Sequence, residues 1–252
     1  MFKPAFEEFK ARTRQGNLIP VYREILADLE TPVSAYMKIG QGAYSFLLES
    51  VEGGEKWARY CFLGCDPAIV VRIKGRKIVV CRNGVEAESS VADGENPLLA
   101  LRKLLAEYKP VAADDLPRFT GGAVGFISYD MVRFFEKLPD CTTDDLDISD
   151  ALFVITDTLL IFDNVLQTIK IVSNAFVDNG DLEEIYRQTT RKIELLEEKL
   201  QQPVPRKFMP RKQTSSPPSA VFRPNVSKHP QAVRIRIQVV FFRGSWERAP
   251  KR

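Results

Sequence analysis

Histidine is almost absent from this sequence. The only one, His229, lies near the C-terminus, so no Ser-His-Asp or Cys-His constellation is available to residues 1–227. Cysteine is sparse too. Cys61 and Cys65 are four residues apart, Cys81 and Cys141 stand alone, and no second close pair exists to complete a zinc site. All four read as packing residues, reduced in a cytosolic setting. No run of about 18 apolar residues occurs, which argues against a membrane-spanning helix. The first residues, MFKPAFEEFK, carry acids and no apolar stretch, so they do not read as a signal peptide. A cytoplasmic protein is expected.

A basic surface is missing as well, despite the formal charge of +3. Residues 228–252 hold seven Lys or Arg and only Glu247 as an acid. Without that +6 the rest of the chain carries −3, so the charge gives no reason to expect a nucleic-acid partner. The acidic pairs Asp114-Asp115 and Asp144-Asp145 fall in polar stretches and read as solvated loop charges. The run Gly121-Gly122-Ala123-Val124-Gly125 lacks the Lys-Ser/Thr of a phosphate-binding loop and fits no G-x-G-x-x-G pattern, so it reads as close packing. No internal repeat is visible.

What is present is the pattern of a mixed fold: 44% hydrophobic and 27% charged residues, with more strand signals than helix signals. Phe2, Phe6 and Phe9 have helical spacing. Pro20 and Pro32 punctuate 18–39 into a short strand or turn and one or two short helices. YSFLLESV (44–51), WARYCFLG (57–64), AIVVRIKG (68–75) and RKIVVCRNG (76–84) read as successive strands, with hairpin turns at Gly75 and Asn83-Gly84. Asn96-Pro97 opens a helix whose apolar face holds Leu98, Leu101, Leu104, Leu105 and Tyr108. RFTGGAVGFISYDMV (118–132) runs into a buried strand. The stretches 151–165 and 166–177 read as two adjacent strands joined near Asp163-Asn164. A helix is predicted from Asp181 to about Gln201, with Asp181 and Glu184 at capping-box spacing. From Gln202 the composition changes to a proline-rich, basic stretch that cannot bury a core. The segment VRIRIQVVFF alternates for a few residues, which would let it add as a strand or aggregate if exposed.

Four stretches resemble one family in order and spacing: TPVSAYMKI (31–39), SFLLESVEGGEKWARYCFLGCDP (45–67), PRFTGGAVGFISYDMVRFFEKLP (117–139) and SDALFVITDTLLIFDNV (149–165). Together they are similar to the N-terminal half of anthranilate synthase component I, a chorismate-utilising enzyme. The likeness runs from about Asn17 to about Val177.

The resemblance implies an α+β fold, the N-terminal half of a large two-layer sheet/helix architecture, with a disordered C-terminal tail. It divides the chain into a regulatory domain at 1–202, a proline-rich linker at 203–220 and, at 221–252, a truncated or frame-shifted start of the catalytic half. FRPNVS (222–227) looks like that start, and the text after it departs from the family.

In the family the LLES strand lines the pocket of the feedback inhibitor L-tryptophan. The resemblance therefore places Leu48, Glu49 and Ser50 at that pocket, with Pro32 against the indole and Arg59 nearby. The chemistry suits an amino acid: Glu49 for the ammonium, Ser50 and Arg59 for the carboxylate, and Pro32 as a flat apolar wall. The family's activity, chorismate and an amino donor to anthranilate and pyruvate, depends on Mg²⁺ and on residues of the other half. No catalytic residue, metal ligand or cofactor is thus expected here, and the chain alone is expected to be inactive. L-tryptophan and the glutamine amidotransferase subunit are the implied partners. An aminodeoxychorismate synthase relative, or a non-catalytic tryptophan-binding module, are the alternative readings.

Overall fold

A computed structural model describes residues 1–49, 59–138, 144 and 147–205, together with the backbone of 236–241. Two antiparallel sheets stack face to face. The first contains β1 (Leu18–Leu26), β2 (Ser45–Leu48), β3 (Tyr60–Cys65), β9 (Thr158–Asp163) and β10 (Thr168–Phe176), in the order β1-β10-β9-β3-β2. The second contains β4 (Ile69–Lys74), β5 (Lys77–Arg82), β6 (Val85–Ser90), β7 (Gly122–Ile127), β8 (Ala151–Thr156) and β11 (Arg236–Phe241), in the order β11-β7-β8-β4-β5-β6.

The two-residue side-chain period of each strand sorts the core into three sheets of apolar contact. On the outer face of the first sheet, Ile19, Val21, Leu63, Leu160, Ile169 and Ile171 meet α1 (Phe6–Arg12), α2 (Pro32–Ile39) and α4 (Leu182–Leu200) through Phe9, Ala35, Ile39 and Ile193. The alternate residues Tyr22, Leu159, Ile161 and Val172 face inward and pack on Val70, Val124 and Val154 of the second sheet. The second sheet's outer face, with Val71, Ile73, Ile78, Phe153 and Ile155, is covered by α3 (Leu98–Ala106) through Leu101, Leu104 and Leu105. The expected α+β class is therefore found as four layers, with helices outside each of two sheets.

Local signals account for several boundaries. The Asn96 side chain accepts a hydrogen bond from the Leu98 amide at 2.9 Å, capping α3. Asp181 caps α4 by accepting from the Glu183 amide at 3.2 Å. Glu184 instead engages Arg187 and Gln188, so the reciprocal half of the box is not made. Asn83 and Gly84 both take positive φ, 48° and 82°, as a two-residue hairpin between β5 and β6 requires. A Cβ on Gly125 would collide with the Leu152 carbonyl of neighbouring β8, so the glycine there serves close packing, as expected.

Three segments differ from the sequence reading. Residues 18–26 form one nine-residue strand rather than a short strand or turn, and Pro20 is tolerated because β1 lies at the edge of its sheet. The apolar run 151–165 is not one strand but two, broken at Asp157, where the chain passes from the second sheet to the first. Six residues of the tail expected to be disordered, Arg236–Phe241, pair along the whole of β7. The remainder of 206–252 lies outside the described residues, as does most of the proposed 203–220 linker. Helix α4 ends at Leu200, next to the expected boundary at 202.

Candidate functional site

Of the predicted effector residues, Leu48 and Glu49 lie at the end of β2, and Arg59 precedes β3, its partner strand. Among the described residues β2 is the outermost strand of its sheet and pairs only with β3, from Ser45↔Cys65 to Leu48↔Phe62. The Tyr36 hydroxyl and the Ser45 hydroxyl are 3.0 Å apart, tying α2 to the start of the strand. Leu48, half-buried at its end, packs into the core between the sheets. Glu49 follows it and is exposed. Ser50 lies outside the described residues.

Arg59 stands at the return of the chain, just before β3. Its Nε and Nη2 donate to the Asp163 carboxylate at 3.0 and 2.7 Å, and its guanidinium lies 4.9 Å from the centroid of the Tyr60 ring. The Arg59 side chain is 39% exposed, whereas that of Asp163 is 1% exposed. Burial pushes the Asp163 carboxyl up. Two opposing effects, the hydrogen bonds from Arg59 and those from the Leu166 and Val165 amides, outweigh it and hold the group below the ordinary carboxylate range.

Pro32 sits apart from Leu48. It opens α2, which packs on the helix-bearing face of the first sheet, while Leu48 points to the opposite face. An apolar wall at Pro32 would have to be reached around the edge of β2. Its local role is evident: Thr31 and Ser34 form a complete capping box, with the proline at the first helical position. Sequence reasoning missed Asp163 as part of this neighbourhood. It was read only as a marker of the turn, and its partner is 104 residues away.

Several polar groups elsewhere among the described residues are held in pairs. Asp115, expected to be merely solvated, accepts the Tyr22 hydroxyl at 3.1 Å; burial and this carboxylate push the tyrosine up to about 12. Asp144 likewise pairs with Lys74. The Cys65 thiol is pushed up to about 12, chiefly by burial, which disfavours its thiolate. Cys61, Cys65 and Cys81 are free thiols, and Cys141 lies outside the described residues. A hollow of about 230 Å³ opens between α4 and the ends of β8 and β10, lined by Leu18, Tyr108, Asp157, Asn174, Phe176 and Lys192. None of the predicted site residues line it. The charges at its rim, Asp157 and Lys192, neutralise one another at 2.7 Å. Among the described residues, no group of three His, Cys, Asp or Glu could hold a metal ion. No helix among them is long and apolar enough to cross a membrane.

No family model matches the chain. Individual relatives do. Anthranilate synthase component 1 of Synechocystis is 42% identical over 212 residues, which are 81% of this chain and 41% of that protein. The protein of the same name from Acetivibrio thermocellus is 39% identical over 197 residues, 78% of this chain and 39% of its own length. The probable anthranilate synthase component 1 of Schizosaccharomyces pombe is 37% identical over 196 residues, with 77% and 36% covered. A crystal structure of anthranilate synthase component I from Streptococcus pneumoniae is 24% identical, with a TM-score of 0.41 over 69% of this chain and 36% of that one. The chain thus spans about two fifths of the length of the curated relatives it matches. On the sequence relationship, the chain belongs to the anthranilate synthase component I family.

Proposed function

We propose that this chain is the tryptophan-sensing portion of an anthranilate synthase component I, acting in tryptophan biosynthesis in the cytoplasm. It binds L-tryptophan at the end of β2 and does not make anthranilate on its own. The observation that carries the reading is a coincidence of position. The family resemblance picks out Pro32, Leu48, Glu49, Ser50 and Arg59. The reading is supported by Leu48 and Glu49 ending edge strand β2 at the same end at which Arg59 enters β3, with Glu49 exposed and the Arg59 guanidinium partly so, while Pro32 stands apart on α2. A zwitterion needs one group of each sign beside an apolar slot.

The family's Mg²⁺ finds no matching ligand set among the described residues, so no step through a metal is assigned to them. Catalysis, and docking of the glutamine amidotransferase subunit, belong in this reading to a complete component I.

Calorimetry on the 252-residue chain tests the proposal. L-tryptophan is expected to bind more tightly than L-phenylalanine, and Ser50→Phe is expected to weaken L-tryptophan at least tenfold by filling the pocket, a change of about 1.4 kcal/mol. Binding that survives this substitution unchanged would remove Ser50 from the site.

A further inference from the structure

A guanidinium has two usable edges, and in Arg59 they are in different states. The inner edge is held by Asp163: Nε reaches both carboxylate oxygens, at 3.1 and 3.0 Å, and Nη2 reaches Oδ2 at 2.7 Å. The outer edge consists of Nη1 and the second N–H of Nη2. Among the described residues these donors have no acceptor, and the side chain is more than one third exposed. Arginine carries five donors in a fixed plane, so anchoring one edge sets the direction of the other.

The anchor is itself immobilised. Oδ1 of Asp163 also accepts the Val165 and Leu166 amides, each at 3.1 Å, across the turn between β9 and β10. The Arg59 carbonyl accepts the Asn164 amide at 2.8 Å, so main chain and side chain of Arg59 are fastened to the same turn. The Tyr60 ring lies beneath the guanidinium and limits its tilt.

We infer that Asp163 is a positioning residue, which with Tyr60 presets the outer edge of Arg59 as a two-pronged receptor for a ligand carboxylate. The inference rests on the effector reading above, which gives Arg59 the ligand carboxylate, and adds to it what holds Arg59 in place. An arginine free to move would lose more rotamer entropy on binding than one already fixed, so the pair raises affinity through preorganisation.

Titration calorimetry of the 252-residue chain with L-tryptophan and with tryptamine, which keeps the indole and ammonium but lacks the carboxylate, provides the test. Asp163→Asn keeps acceptors for the turn amides and removes the charge that orients Arg59. It is expected to weaken L-tryptophan about tenfold or more, the order of one charge-assisted hydrogen bond. Tryptamine should change by less than about twofold, since neither residue touches a group it has. Arg59→Lys, which keeps the charge and loses the fork, should reproduce the split, and it carries the comparison if Asp163→Asn fails to fold. Equal losses for both ligands would reduce the pair to a structural role and overturn the inference. So would an unchanged affinity for L-tryptophan. Wild type that binds neither ligand would overturn the effector reading itself, a result distinct from either of these.

Discussion

Asp163 accepts hydrogen bonds from three backbone or side-chain groups while its side chain is almost wholly removed from water. A carboxylate in that position is tolerable only because each lone pair is met by a donor, one of them charged. Its carboxyl is held lower in the folded chain than the ordinary value of 3.8. A depressed carboxylate contributes stability that is fully present above the unfolded value and disappears as pH falls through the lower folded value. Thermal melts from pH 7 down to pH 2 should therefore show an acid limb in wild type that is shallower in Asp163→Asn, because the variant has no proton to take up at this position. Identical acid limbs would show that the pair does not contribute to acid stability. Arg59 was legible in the sequence through a family motif; Asp163 was not. A turn-marking Asp gives no local signal of a partner on another strand.

At the scale of elements, α4 was the most readable part of the chain. Its stripe of Leu182, Ile185, Ile193, Leu196 and Leu200 recurs at helical spacing, and the structure buries the last three against the first sheet. Ile193 is wholly buried, beneath the helix and over the sheet. Ile193→Ala should thus cost about 2–5 kcal/mol, the range for a large-to-small change in a packed core. Urea unfolding followed by circular dichroism would read this as a lower midpoint at an unchanged slope. A loss below about 1 kcal/mol would mean that α4 packs loosely. The hairpin turns were equally legible, since Asn83-Gly84 supplies two positive φ angles that few other pairs accept. The crossing at Asp157 was hidden for the opposite reason. A run such as ALFVITDTLLIF is apolar on both faces, so its periodicity cannot reveal that the chain changes sheets half-way along. The full length of strand β1 was missed because proline is a strong breaker in isolation, and its place at the sheet edge makes Pro20 acceptable.

For the whole molecule, the two sheets enclose a complete apolar layer between them, built from Tyr22, Val70, Val124, Val154, Ile161 and Val172. That layer explains how a chain two fifths the length of its relatives still has a core of its own. A core is not a catalyst. Converting chorismate to anthranilate requires groups to move protons and a metal to hold charge, which together supply most of the many orders of magnitude that separate an enzyme from the uncatalysed reaction. Among the described residues no set of His, Cys, Asp or Glu is grouped for a metal. The buried acid with a resolved shift, Asp163, is lowered, which suits an anchor rather than a proton donor. On the proposed reading, in which catalysis belongs to a complete component I, the 252-residue chain, given chorismate, ammonium and Mg²⁺, is expected to produce no anthranilate fluorescence above the buffer rate. The full-length Synechocystis relative, assayed in parallel, should produce it. Adding L-tryptophan to the relative would be expected to slow its turnover, whereas the short chain should only bind the effector. Anthranilate formed by the short chain alone would show that its own residues carry the chemistry, and would move the assignment from sensor to enzyme.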